Sequence, residues 1–162
     1  MNKANSLKQH LLAEVPELRG NPDKLLVFID QGRARSTMAG GLSFEYGYTL
    51  NVILTDFAGH PDAVAIPLLA WLLANQPELL TNLERGKDAI AFEADVLDNS
   101  KVDLALKLPL TERVIVKRQG DDSLLVSHPD EPELLEETFT LPGLRLETPD
   151  GEVIAQWGEP TP

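Results

Sequence analysis

The chain has 162 residues, 43% hydrophobic and 25% charged, enough to bury the core of one ordinary domain. It has no cysteine, which excludes disulfides, thiolate nucleophiles and cysteine-ligated metals. Its net charge is −12, and from Asp121 onward Arg145 is the single basic residue against eleven acidic ones; repulsion then opposes nucleic acid or an anionic membrane surface as the main partner.

The first segment, Ser6–Glu14, reads as a short helix with Leu7, Leu11 and Leu12 on one face and Asn5 or Ser6 as cap. Val15-Pro16 ends it, and Glu17–Asp23 is turn chemistry. Lys24–Asp30 is a mostly apolar run expected to be a strand buried on both faces. Gln31–Gly41 has no periodicity and reads as a mobile loop or a short polar strand.

Leu42–Phe57 carries the clearest strand signal. Phe44, Tyr46, Tyr48, Leu50, Val52 and Leu54 take the even positions, and mostly polar residues take the odd ones. His60-Pro61-Asp62 follows as a joint. Asp56 and His60 can accept hydrogen bonds from free N–H groups at a helix start, Pro61 suits the first turn, and Asp62 complements the helix dipole. The helix then runs to about Asn75, with a kink or a shifted start expected at Pro67.

This helix has no polar face. Ala63 to Ala74 is twelve apolar residues in a row, too few for a membrane span. A surface helix normally keeps one polar side. Either the helix is buried within the monomer or one side packs on a neighbouring subunit, with Trp71 the candidate interface residue.

Pro77–Asp88 is a short helical turn and loop. Ala89–Asp98, Val102–Leu110, Arg113–Arg118 and Ser123–His128 are successive strand candidates separated by turns. The remainder is acidic, with a small hairpin expected over Arg145–Trp157 around Pro149-Asp150-Gly151 and a frayed end. The N-terminus lacks the apolar core of a signal peptide, so the chain is expected to be soluble and made in the cytoplasm.

No constellation calls for catalysis or a cofactor. There is no glycine-rich phosphate loop. Glu93, Asp95, Asp98 and Asp103 offer oxygen ligands, but their spacing is that of a wet strand face and a turn rather than a metal loop. His10, His60 and His128 are far apart and match no zinc pair. No serine lies in a nucleophile elbow. The acidic C-terminal segment is a solvated tail or a surface for a basic partner.

The stretches "PELRGNPDKLLVFIDQG", "LSFEYGYTLNVILTDFAGHPDAVAIPLLAWL", "NQPELL", "FEADVLDN" and "VDLALKLPLTERVIVK" together resemble the R-type tail completion protein of contractile-tailed temperate phages, in order from Met1 to Lys117. The resemblance implies a structural virion protein at the head-proximal end of the tail, made in the host cytoplasm, with no catalytic residue, metal or cofactor. It implies a tail-terminator-like α+β fold: a mixed or antiparallel sheet of four to five strands, packed by two main helices and closed into a sixfold ring. Its partners would be tail tube or sheath proteins and head–tail connector proteins. Residues 1–120 would form the tail completion domain and residues 121–162 an acidic extension packed on it, a small hairpin or partly flexible. Arg33 and Arg35, on Gln31–Gly41, would reach a neighbour, the tube or the sheath. The competing class is a transient acidic chaperone that binds a basic tail protein and leaves before the particle matures.

Overall fold

The hairpin of β1 (Leu25–Ser36) and β2 (Phe44–Phe57) organises the molecule. The computed structural model describes residues 1–36, 41–98, 100–132 and 140–158, so residues 37–40 of the expected loop, residues 133–139 of the acidic segment and the expected frayed end from residue 159 lie outside the described residues. β4 (Val102–Gln119) pairs with β2 on the side away from β1, and β3 (Ala91–Val96) and β5 (Ser123–Ser127) pair with the outer side of β4 at its two ends. All these pairs are antiparallel. With α1 (Asn2–Glu14) and α3 (Asp62–Asn75) packed on the sheet, the fold is α+β with a five-stranded antiparallel sheet.

The period of two decides which side is buried. Leu50, Val52 and Leu54 of β2 lie beside Leu108, Leu106 and Leu104 of β4, and beside Ile29, Val27 and Leu25 of β1. This even face meets Leu7 and Leu11 of α1 and Val64, Leu68, Trp71 and Leu72 of α3 in one core. The first helix starts earlier than Ser6 because its cap is supplied from far along the chain: the N–H groups of Asn2 and Lys3 donate to the Glu112 carboxylate at 3.0 and 2.9 Å.

β1 corrects the expectation of a strand buried on both faces. Leu26 and Phe28 fall on the face away from the helices, and both are exposed. The strand also continues through the polar run to Ser36, across a bulge between Asp30 and Arg33 where Gln31 takes a positive φ of 50°. β4 joins the expected runs Val102–Leu110 and Arg113–Arg118 into one strand through Thr111 and Glu112, with Pro109 inside it. The Thr111 N–H points to the outer side and donates to Gln76 Oε1 at 3.2 Å. Pro109, two residues earlier, therefore lacks an N–H only where β4 has no strand partner.

α3 runs through Pro67 without interruption. Its start matches the expected joint in one respect: the Asp62 N–H donates to His60 Nδ1 at 3.2 Å. Asp56 takes no part; its own N–H donates to Asp103 Oδ1. Glu17, from α2 (Pro16–Gly20), holds the joint instead, accepting from the N–H groups of Ala58 and Gly59 at 3.0 and 2.8 Å. Gly59 is required there, since a Cβ would lie 2.7 Å from the Phe57 ring.

Most of the apolar surface of α3 is covered within the monomer, while Ala65, Leu69 and Ala74 stay exposed. One side enters the main core. The other carries Ala63, Ile66 and Ala70 against Leu141, Ala155 and Trp157, on and beside the small hairpin of β6 (Arg145–Glu147) and β7 (Val153–Gln156). The Trp157 indole N–H donates to the Glu14 carbonyl at 2.9 Å, tying this hairpin to α1 as well.

Candidate interaction surface

The sheet face away from the helices is the place to look, because most of it is left open. After α3 the chain crosses the outer side of β4 through α4 (Glu78–Thr81) and α5 (Leu83–Gly86) before entering β3. Between this crossing and the sheet lies a groove of about 690 Å³, lined by Arg33, Arg35, Glu45, Gly47 and Thr49 on one side and by Glu78, Leu79, Glu84 and Asp88 on the other.

Two basic side chains thus face an acidic wall. Arg33 pairs in register with Gly47 and Arg35 with Glu45, so both point to the open face. Arg35 Nη2 forms an ion pair with Glu45 Oε1 at 3.1 Å. Arg33 makes no ion pair among the described residues. Its guanidinium lies over Gly47, where a Cβ would come within 3.1 Å of it, so the glycine gives the arginine its seat on the sheet. Of the two readings of Gln31–Gly41, the polar strand holds through Ser36, and the two arginines are held by sheet pairing rather than carried on a free segment.

Trp71, the third sequence candidate, lies elsewhere. It is 3% exposed, and its indole N–H donates to Ser6 Oγ at 3.0 Å. It joins α3 to α1 in the core and presents no surface to a partner.

One edge of the groove is anchored by a buried polar network that the sequence reading passed over. Glu112 is 5% exposed and accepts from the Tyr48 hydroxyl at 2.5 Å besides capping α1. Burial pushes its carboxyl up, but the hydrogen bonds from Tyr48 and from the amides of Lys3 and Asn2 outweigh this and hold it below the ordinary range. The same burial and the same carboxylate push the Tyr48 phenol well up. Lys3 Nζ donates to Gln76 Oε1 and to the Thr111 carbonyl, each at 2.6 Å, and ion-pairs with Glu131 at 2.8 Å. A signal for Glu112 was present: it is an acid that interrupts the apolar even positions of β4 from Val102 to Val116.

This arrangement can bind charged chain segments. Among the described residues no group of three or more His, Asp or Glu could hold a metal ion, and no helix is long and apolar enough to cross a membrane.

Comparison with known proteins decides the family. The model of the P2 phage tail completion protein R (GpR) family matches residues 1–132. The chain belongs to this family. It is 41% identical over 159 residues to Tail completion protein R of Escherichia phage P2, an alignment that covers 98% of this chain and the whole of that relative. No solved structure matches. The family match thus takes in the sheet, both main helices and the groove residues, and it ends at residue 132.

Proposed function

We propose that the protein is a structural tail-completion component of a contractile-tailed phage. It acts at the head-proximal end, capping tube and sheath and making the tail competent to join a head. The observation that carries this reading is the 41% identity, across nearly all of both chains, to a protein named for tail completion. That relationship does not favour the transient chaperone.

In this reading the protein works by binding, not by catalysis. It is assembled in the host cytoplasm, stays on the tail, and forms a sixfold ring that matches the tube. A ring needs a different surface on each side of the subunit, joined head to tail. Arg33 and Arg35, on the groove rim, contact a tube, sheath or connector protein. Arg33, which makes no ion pair among the described residues, has its hydrogen-bonding fork available to a partner carboxylate, whereas Arg35 shares its own with Glu45.

Negative-stain microscopy of tails from a phage lacking this protein tests the reading. Added purified protein should appear at one tail end, and the tails should then join heads. Tails that mature while the protein stays in solution would favour the chaperone instead. The double variant Arg33→Ala/Arg35→Ala should lower phage yield with the melting temperature unchanged. Unaltered yield would remove these arginines from the contact.

A further inference from the structure

Single apolar side chains in water mean little, but a gathering of them marks a partner. Two short strands gather them here. In β3, Phe92 is 68% and Val96 74% exposed; in β5, Leu124 is 55% and Val126 54% exposed. Both strands lie on the outer side of β4, and no described strand pairs with the free edge of either. Natural edge strands are usually protected by lysine, proline or a bulge. Ser123-Leu124-Leu125-Val126-Ser127 has none of these and no charge, and it pairs with β4 without a register shift.

The faces of the two strands match. Phe92, Ala94 and Val96 lie opposite Leu106, Leu104 and Val102 of β4, on the helix side of the sheet. Leu124 and Val126 lie opposite Arg118 and Val116, the same side. On the open side, β3 carries Glu93 and Asp95, while Leu125 lies beside Lys117 of β4. β3 and β5 both run antiparallel to β4 and therefore parallel to each other. A half turn about the sheet normal reverses strand direction and keeps each face on its own side. It sets β5 of one copy antiparallel to β3 of a second, apolar against apolar on one face. On the other face, Lys117 lies one strand in from Glu93 and Asp95.

We propose that β5 of one copy adds to the free edge of β3 of a second copy of this chain as an antiparallel strand pair. Main-chain hydrogen bonds supply the attraction, and the face-matched side chains set the register. A half turn is its own inverse, so this contact closes a pair of subunits; it is separate from the head-to-tail contacts of the ring reading and does not rest on them.

The test is sedimentation velocity on the full chain with two double variants, Leu124→Lys/Val126→Lys and Phe92→Lys/Val96→Lys. The wild type should self-associate. Each variant alone should do so at least about tenfold more weakly, since every strand pair needs one intact edge of each kind. An equimolar mixture retains one intact β5 and one intact β3, so it should give a heterodimer. Circular dichroism checks that both variants are folded, and serine replaces lysine at the same positions in any that is not. The strand pair is overturned by a wild type that stays monomeric, by variants that associate like it, or by folded variants that give no heterodimer. A monomeric wild type that still completes tails would remove the strand pair and leave the tail-completion reading standing. Failure to complete tails would remove that reading instead.

Discussion

Helix α3 and the strands β3 and β5 make an instructive pair. The helix is apolar all round, and by composition it should be the surface in search of a partner. Yet the sheet covers one side of it, and Leu141, Ala155 and Trp157 cover another. The strands are short and weakly patterned, and they keep Phe92, Val96, Leu124 and Val126 in water. Apolar content alone does not locate an interface. What decides is whether some distant segment folds back over the apolar side chains, and for α3 that segment lies some seventy to ninety residues further along the chain.

The sharpest way to break this comparison is in the helix. Trp71→Ala removes a side chain that fills the core and satisfies Ser6, and should cost about 3–5 kcal/mol in denaturant unfolding. A loss below about 1 kcal/mol would return Trp71 to the surface. Trp157→Ala removes the outer cover instead. It should cost about 3 kcal/mol, near the low end because the second cluster is small and can partly collapse. It should also leave Ile66 and Ala70 open, so binding of an apolar dye should rise in the still-folded protein. A dye signal equal to that of the wild type would mean that this hairpin does not shield α3.

Much of the helix side of the sheet was legible in the sequence. The even positions of Leu42–Phe57 identify β2 and its buried side without help, because a period of two has one physical reading. β1 was legible only to Asp30. Its polar half has no periodicity, and its bulge breaks the register; pairing with Phe44–Gly47 is what makes it a strand. Of the groove, Arg33 and Arg35 could be named in advance because they stand as isolated cations in a polar run. Glu45, Glu78, Glu84 and Asp88 could not, because they come from three separate segments that only the chain crossing brings together. Trp71 drew attention for its residue type, while its burial depends on α1, some sixty-five residues earlier.

The buried carboxylate gives the next effect in size. The folded protein holds Glu112 below its ordinary value of 4.5, so it contributes stability that is present above about pH 4.5 and is lost as pH falls through the folded value. Glu17 has the same sign: burial raises it, but Lys24 at 2.6 Å and the amides of Ala58 and Gly59 lower it further. Tyr48 acts at the other end. Its folded value is raised above 10.0, so stability should decline as pH rises past the point where the unfolded phenol ionises. Glu112→Gln should cost about 1.5–3 kcal/mol at neutral pH, the range for hydrogen bonds to a charged group. It should also flatten the acid limb of the stability curve. An acid limb as steep as that of the wild type would assign acid sensitivity to other carboxylates.

The smallest expected change is at Phe92, and it sharpens the contrast with Trp71 most directly. Both are large aromatics, and residue type alone would give them similar weight. Phe92 is already 68% exposed, so Phe92→Ala gives up little burial in the isolated subunit. Its unfolding free energy at low protein concentration should shift by no more than about 0.5 kcal/mol, as for surface substitutions without partners. At high concentration the result should differ. If a second copy covers this edge, the wild type gains stability by mass action as association proceeds, and the variant gains less. The measurement is therefore a pair of melting curves for each protein, dilute and concentrated. A gap between wild type and variant that opens with concentration assigns the free edge of β3 to association. A gap of equal size at both concentrations would place Phe92 in the subunit's own core, against the exposure that separates the strands from the helix.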